Sequence, residues 1–284
     1  MKLQPYINKR AKEFNLYAQT YLKKNKYSSL LWKAMNYGLF NGGKRIRPLL
    51  IIEFSKILKL KKNNYMRVAL ATELVHSYSL IHDDIMDDDN IRRGKPTTHK
   101  KFDQETAILA GNSLLTLAFE ILADKKTHPK HEIRANLILQ LALLSGHKGL
   151  AGGQSLDLLY EKKNATEKNI INMHELKTAK LFEFCLCAPL IMSNINDIKI
   201  SKQAQKYGKN FGLIFQATDD LIDVIGNKAI TGKETQKDLK KNKGNIFKYK
   251  TQEDIKKYCI GLATKATSNS TYFSCKDSLL YKLI

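Results

Sequence analysis

The chain has 284 residues, 43% of them hydrophobic, which is enough for a substantial core but does not decide between one large domain and two smaller ones. Its 48 lysine and arginine residues exceed its 27 aspartate and glutamate residues and give a net charge of +21. Such an excess can indicate binding to nucleic acid. No recognised nucleic-acid-binding motif accompanies the charge, so we expect no nucleic-acid partner.

Four cysteines occur, and none has the spacing typical of metal ligands: Cys185, Cys187, Cys259 and Cys275. Reduced thiols in a cytoplasmic protein are therefore expected. The amino-terminal segment lacks the apolar core of a signal peptide, and no apolar run reaches the roughly 18 residues of a membrane span. We expect a soluble protein with no integral membrane segment.

Apolar residues recur every three or four positions along most of the chain, a pattern that predicts an all-α protein. The predicted helices span residues 9–24, 28–40, 48–61, 64–88, 103–123, 131–148, 167–192, 201–227 and 251–267. The predicted breaks fall at residues 41–43, 94–96, 149–153 and 226–244. Residues 68–80 and 106–122 are apolar on more than one helical face, which is typical of helices inside a large bundle. A single domain over residues 1–284 is therefore favoured.

The first break, residues 41–43, contains two glycines and leads into Lys44 and Arg47 at a predicted helix start. Free backbone amides at a helix start favour anions. Arginine offers phosphate a planar fork, and lysine offers a compact point charge. In so basic a chain each of these side chains could equally be an ordinary surface charge.

The next helix ends in five carboxylates within seven residues: Asp83, Asp84, Asp87, Asp88 and Asp89. Such a cluster repels itself unless a cation binds it. Because Asp83 and Asp87 are four residues apart, a helix places them on one face, about 5–6 Å apart. Two carboxylates at that spacing can share hard divalent cations, and magnesium also takes water and phosphate ligands.

An alternative interpretation of this segment is a solvated, acidic helix end. Its carboxylates would then pair with arginines four residues later, Asp88 with Arg92 and Asp89 with Arg93.

A second acidic motif weakens that alternative. Asp219, Asp220 and Asp223 repeat the spacing of Asp83, Asp84 and Asp87, again at the end of an apolar helix. We expect two such motifs on separate long helices to face each other and to hold several metal ions around one diphosphate.

Polar residues near these motifs are further candidates. His76 lies seven residues before Asp83, and Gln216 lies three before Asp219, so each shares a helical stripe with its motif. Either could be an ordinary buried polar residue whose hydrogen bonds are satisfied in the core.

Taken together, motifs between about residues 30 and 245 resemble those of the trans-prenyl diphosphate synthases, the polyprenyl synthetase family. The nearest subgroup is the bacterial farnesyl diphosphate synthases, or geranyltranstransferases. The motifs are Gly42-Gly43-Lys44-Arg45-Ile46-Arg47-Pro48, Ser79-Leu80-Ile81-His82-Asp83-Asp84, Arg92-Arg93-Gly94, Gly152-Gly153-Gln154, Lys177-Thr178, and residues 216–223.

The resemblance implies an isoprenoid-synthase helical bundle around a central cavity, usually a homodimer. Its activity would join isopentenyl diphosphate head to tail onto an allylic diphosphate, dimethylallyl or geranyl, with Mg²⁺ as cofactor and more than one ion per site. It implies metal ligands at Asp83, Asp84, Asp87, Asp219, Asp220 and Asp223. It implies an isopentenyl diphosphate site at Lys44, Arg47, His76 and Arg93. It implies contacts to the allylic diphosphate at Arg92, Lys177, Thr178, Gln216, Lys233 and Lys243. Catalytic roles would fall on Asp83, Asp84, Asp87, Lys177, Thr178, Gln216, Asp219 and Asp220.

The resemblance also implies that Tyr78 and Ser79 determine the chain length of the product. In the family, an aromatic residue five positions before the first motif aspartate stops the growing hydrocarbon chain at farnesyl length. Tyr78 has this position, about 7.5 Å from Asp83 along the helix axis. However, bacterial short-chain members usually carry two extra residues inside the first acidic motif, and this chain lacks them. In this respect it is more like longer-chain or archaeal relatives. The alternatives are therefore a geranylgeranyl or longer product, and either Asp87 or Asp89 as the later metal ligand.

Two other protein classes are less compatible with these motifs. A terpene cyclase would not need the second diphosphate site at Lys44, Arg47 and His76. A non-catalytic partner subunit would be expected to have lost some of the motif aspartates, and all of them are present.

Overall fold

The computed structural model describes residues 3–24, 29–225, 244–268, 270, 272–273, 275 and 278–284. Throughout these residues the regular elements are helices apart from one two-stranded hairpin. The all-α prediction is confirmed. Contacts between residues divide the chain into two compact units. Unit 1 runs to Ile138 and includes Ile191–Asn194, and unit 2 comprises Leu139–Leu190 and the chain from Ile195 onward. The single domain over residues 1–284 stays a prediction.

Unit 1 contains helices α1 to α6, the hairpin and the start of α7. The elements are α1 (Leu3–Lys24), α2 (Leu30–Phe40), α3 (Ile46–Ile57), α4 (Lys62–Met86), β1 (Ile91–Arg92), β2 (Lys95–Pro96), α5 (Thr98–Lys101), α6 (Gln104–Ala123) and α7 (His131–Ser145). Unit 2 contains the rest of α7 and all of α10 (Lys180–Met192) except its last two residues. Its other elements are α8 (Leu150–Lys162), α9 (Glu167–His174), a π-helical segment (Glu175–Ala179), α11 (Ile198–Ile225), a 3₁₀ turn (Ile246–Lys248), α12 (Gln252–Thr267) and α13 (Leu279–Leu283).

Helix α4 is the central helix of unit 1. Every residue from Val68 to Val75 is buried, on all faces of the helix. It packs chiefly against α6, whose small residues Ala107 and Ala110 allow close approach, and against α3. The prediction that this stretch lies inside a bundle is confirmed.

Helix α6 is buried on one face only, which differs from the prediction for residues 106–122. Ile108 and Leu109 are exposed because they lie on the side turned away from α4. By length and composition α6 could cross a membrane, a criterion that core helices of water-soluble proteins also meet. Its buried face packs in the interior of unit 1.

A buried charge network fixes the loop between α2 and α3. Arg45 starts α3 in the left-handed region, with φ of 54°. Its guanidinium donates to Glu73 on α4 at 2.6 Å, to the carbonyl of Leu39 at 2.7 Å and to Asn15 on α1 at 2.8 Å. This network holds the segment that carries Lys44 and Arg47, although Arg45 is not among the site residues predicted from the sequence.

Unit 2 departs from the sequence prediction at α8. Residues 149–153 were predicted as a break because of their three glycines, but a helix runs through them from Leu150 to Lys162. It packs directly on the π-helical segment. The predicted helix over residues 167–192 is likewise interrupted, because that π-helical segment separates α9 from α10. Single-turn π segments are frequent at functional sites.

Candidate active site

The first acidic motif forms the carboxyl end of α4. The helix ends at Met86, and the amide of Asp87 still donates to the carbonyl of Asp83 at 2.9 Å. Asp83 and Asp87 therefore lie on one face of the last turn, partly exposed, while Asp84 turns inward and is only 3% exposed.

Because Asp88 has left the helix, with φ of 50°, helical spacing does not extend from Asp88 to Arg92. The alternative pairing by four-residue spacing is therefore wrong for Arg92, whose carboxylate neighbours are Asp84 and Asp83. Asp88 pairs with Lys100 at 3.0 Å.

A tight hairpin follows the motif and directs two successive arginines. Arg93 and Gly94 form its turn, both with positive φ, as a two-residue hairpin loop requires. Arg92 Nε donates to Asp84 Oδ1 at 2.6 Å, and Arg93 Nη1 donates to the carbonyl of Gly42 at 2.6 Å. Arg92 therefore bonds to the acidic motif, and Arg93 bonds to the loop that carries Lys44.

Asp84 is already compensated by a protein cation. Burial raises its pKa to about 6, and Arg92 opposes that effect. Burial lowers the pKa of Arg92, but the carboxylates of Asp84 and Asp83 raise it further, so that the pKa lies above its ordinary value. Asp84 is thus buried against Arg92, and the more exposed edge of the motif consists of Asp83 and Asp87.

The predicted isopentenyl diphosphate residues meet within unit 1. Arg47 on α3 lies 3.3 Å from His76 on α4, measured between Nη1 and Nε2. Burial and the charges of Arg47 and Arg93 lower the pKa of His76 well below its ordinary value, so the ring is neutral at pH 7. Lys44 is exposed in the adjoining loop. Arg47, His76 and Arg93 form a cationic patch in which His76 can donate without adding charge.

The predicted chain-length residues lie one turn before the acidic motif. Tyr78 is half-buried, and burial raises its pKa. Ser79 Oγ donates to the carbonyl of His76 at 2.8 Å, within α4 itself.

In unit 2 the π-helical segment presents Lys177 and Thr178. Lys177 Nζ bonds Asp157 Oδ2 on α8 at 2.6 Å. Thr178 Oγ1 donates to Gln216 Oε1 on α11 at 2.7 Å. Since the threonine proton is used in that bond, the remaining lone pairs of its oxygen stay available to a ligand.

This hydrogen-bond chain continues from Gln216 to Asp220. Gln216 Nε2 donates to Asp220 Oδ1 at 2.9 Å, and the amide of Ile246 donates to Asp220 Oδ2 at 3.1 Å. His174 Nε2 lies 3.7 Å from Oδ2 and 3.3 Å from the carbonyl of Gly244. Burial raises the pKa of Asp220, and His174 and Gln216 act against that rise. His174 is not among the residues predicted from the sequence, because a lone histidine in a helix of mixed polar and apolar residues forms no recognisable motif.

The other two aspartates of the second motif have different surroundings. Asp219 is exposed, and Asp223 follows four residues later on the same face of α11. Asp223 Oδ2 is buried with no hydrogen-bond partner among the described residues. A carboxylate oxygen in that state fits a cation. In both motifs the second aspartate is therefore the most buried of the three.

Magnesium fits this donor set in its usual form of coordination. Across the described residues, no three His, Cys, Asp or Glu side chains are grouped closely enough to hold a metal ion by themselves. Mg²⁺ commonly uses only one or two carboxylates and completes its octahedron with water and substrate phosphate. The pairs Asp83 with Asp87 and Asp219 with Asp223 meet that requirement.

Lys233 and Lys243 lie outside the described residues, so their roles stay predictions. A further polar group in unit 2 had no assigned role. Gln154 Nε2 is buried without a hydrogen-bond partner among the described residues, one turn before Asp157 on α8.

Comparisons with known proteins agree with these features. Residues 28–265 match the family model described as Polyprenyl synthetase. Farnesyl diphosphate synthase of Micrococcus luteus is 42% identical over 77% of this chain and 76% of its own length. That of Bacillus subtilis is 35% identical over 99% of this chain and 96% of its own length. Geranylgeranyl diphosphate synthases are also among the relatives. A Helicobacter pylori geranyltransferase structure, complexed with magnesium and isoprenyl diphosphate, superposes with a TM-score of 0.81 at 31% identity, covering 100% of this chain and 94% of that one.

Proposed function

This chain belongs to the polyprenyl synthetase family, and on that basis we propose that it condenses isopentenyl diphosphate with an allylic diphosphate, dimethylallyl or geranyl, to give farnesyl diphosphate. It is a trans-prenyl diphosphate synthase, as are the farnesyl diphosphate synthases of Micrococcus luteus and Bacillus subtilis that it resembles. The observation that carries the proposal is the repeated acidic motif, with its first and fifth aspartates on one helical face; in the first motif Arg92 lies 3.7 Å from Asp83.

Magnesium is held by the accessible aspartates of each motif. Asp83 and Asp87 serve on α4, and Asp219 and Asp223 serve on α11. Asp87 is favoured over Asp89, because the Asp87 amide keeps the helical bond to the carbonyl of Asp83, four residues earlier, whereas the Asp89 amide bonds to the carbonyl of Asp84, five residues earlier. When bound, Mg²⁺ stabilises the negative charge of the departing diphosphate, an effect typically of several kcal/mol.

The second aspartates hold neighbouring side chains in place. The sequence predicted Asp84 and Asp220 as metal ligands, but their bonds to Arg92 and Gln216 favour a positioning role. Arg92 and Gln216 are thereby kept in one orientation for the allylic substrate.

The two substrates are bound by different basic groups. Isopentenyl diphosphate takes the patch of Lys44, Arg47, His76 and Arg93. The allylic diphosphate is assigned by the family resemblance alone to Arg92, Lys177, Thr178, Gln216, Lys233 and Lys243.

Bond changes follow from this arrangement. The allylic C1–O bond breaks, and its electron pair leaves with diphosphate, whose charge Lys177 counters. The double bond of isopentenyl diphosphate then attacks the allylic C1 to form the new C–C bond. The lone pairs of Thr178 and the amide oxygen of Gln216 stabilise the developing cation. The departing diphosphate takes the proton whose loss restores the alkene.

A cytoplasmic homodimer is the form proposed for this enzyme. The exposed apolar residues Ile108 and Leu109 on α6 support self-association, because covering them would remove apolar surface from water. Light scattering coupled to size exclusion should give twice the chain mass of 32.4 kDa; the mass of one chain would contradict the dimer.

Replacing Tyr78 with alanine is expected to lengthen the product. In the proposed site the Tyr78 ring closes the end of the pocket for the hydrocarbon chain, so its loss should let geranylgeranyl diphosphate accumulate. Ser79 is kept in this variant. Chromatography of dephosphorylated products measures the ratio. An unchanged farnesyl product would remove Tyr78 from this role.

The function itself is tested with isopentenyl diphosphate, geranyl diphosphate and Mg²⁺. Farnesyl diphosphate should form, and a chelator should stop the reaction. In parallel, geranyl diphosphate alone should yield no cyclic hydrocarbon, which separates this enzyme from a terpene cyclase. Failure to elongate any allylic primer would overturn the proposal.

A further inference from the structure

The ring of His82 occupies a notch on α6 that exists because residue 111 is glycine. A Cβ at Gly111 would lie 2.3 Å from Nε2 and 2.5 Å from Cδ2 of His82, so any larger residue would displace the ring. His82 Nε2 lies 3.2 Å from the carbonyl oxygen of Ile108, one turn earlier on α6. Because a carbonyl only accepts, this nitrogen carries the proton. The position and the tautomer of the ring are both fixed.

The same ring contacts Tyr78. The two residues are four apart on α4 and therefore lie on one helical face. Their ring centroids are 4.8 Å apart with an interplanar angle of 72°, the edge-to-face geometry favoured by aromatic pairs. His82 is thus anchored to α6 on one side and braces Tyr78 on the other.

We propose that His82 is a positioning residue for product length, which holds the Tyr78 ring in one rotamer through its own seat at Gly111. The inference rests on the proposed function, in which Tyr78 ends the pocket for the hydrocarbon chain. An aromatic side chain limits chain growth only while its ring keeps one orientation. Without its edge contact the ring gains access to other staggered rotamers, and longer chains are then accommodated.

The product ratio of His82→Ala tests this role, with isopentenyl diphosphate in excess over geranyl diphosphate. The ratio of geranylgeranyl to farnesyl product should rise by about fivefold, the factor that corresponds to the loss of one aromatic pair. His82→Phe keeps a ring beside Tyr78 and should retain the farnesyl product. In a Tyr78→Ala background, His82→Ala should cause no further change, because its effect passes through Tyr78.

Gly111→Ala provides a second route to the same displacement if His82→Ala fails to fold. It should also raise the longer product, whereas Gly261→Ala, whose Cβ would meet nothing within 4 Å, should not. Wild-type ratios in both His82→Ala and Gly111→Ala would overturn the inference. So would an equal effect of His82→Ala with and without Tyr78. Failure of the wild-type enzyme to make farnesyl diphosphate, or of Tyr78→Ala to lengthen it, would instead overturn the proposed function.

Discussion

Replacement of Asp83 by alanine should lower kcat for condensation by about a hundredfold to a thousandfold, the range seen when a group that stabilises developing charge is removed. Asp83 and Asp87 form the accessible pair at the end of α4, so losing one carboxylate should also raise the Mg²⁺ concentration needed for half-maximal rate. Initial rates over a Mg²⁺ series measure both effects.

Asp88→Ala is the matched control from the same acidic segment. The Asp88 side chain is 83% exposed and pairs with Lys100 at the surface. Exposed ion pairs contribute little, so its rate should stay within about twofold of wild type. An equal loss of kcat in the two variants would mean that only the total negative charge of the segment matters, and that the position of Asp83 does not.

Gly153→Ala should damage the stability and activity of the enzyme together. The added Cβ would lie 2.1 Å from the backbone nitrogen of Lys177 and 2.5 Å from its Cα, so α8 and the π-helical segment must separate. Overpacking of this kind costs about 1–3 kcal/mol, and more where backbone must move. Since Lys177 and Thr178 lie on the displaced segment, kcat should fall as well. Chemical denaturation and steady-state kinetics check the two effects.

Gly261→Ala, in the interior of α12, is the control for that substitution. Alanine there meets no atom within 4 Å and has a higher helix propensity than glycine. The free energy of unfolding should stay the same or rise by up to about 1 kcal/mol, with unchanged kcat. A Gly153→Ala enzyme as stable and active as this control would refute the packing argument.

The sequence was sufficient to predict the helical character of the chain. Periodicity of 3.6 residues identifies α4 and α11, because their apolar residues recur over many turns. Basic and acidic motifs at family-like spacing identified Arg47, His76 and Arg93 as one group, and the structure brings these three together in unit 1.

What the sequence did not predict depends on contacts between distant segments. Three glycines in residues 149–153 indicate a break by local propensity, but close packing against the π-helical segment stabilises a helix there. The sequence does not indicate which side chains bond to the predicted metal ligands Asp84 and Asp220. Only tertiary structure reveals that Arg92 compensates one and that Gln216 bonds the other.

Product identification after incubation of the intact enzyme with labelled isopentenyl diphosphate, dimethylallyl diphosphate and Mg²⁺ is the most direct test of the central claim. The account predicts farnesyl diphosphate as the main labelled product, formed in two successive condensations and abolished by a chelator. Absence of any elongated allylic diphosphate, or label incorporation that persists without a divalent cation, would contradict it.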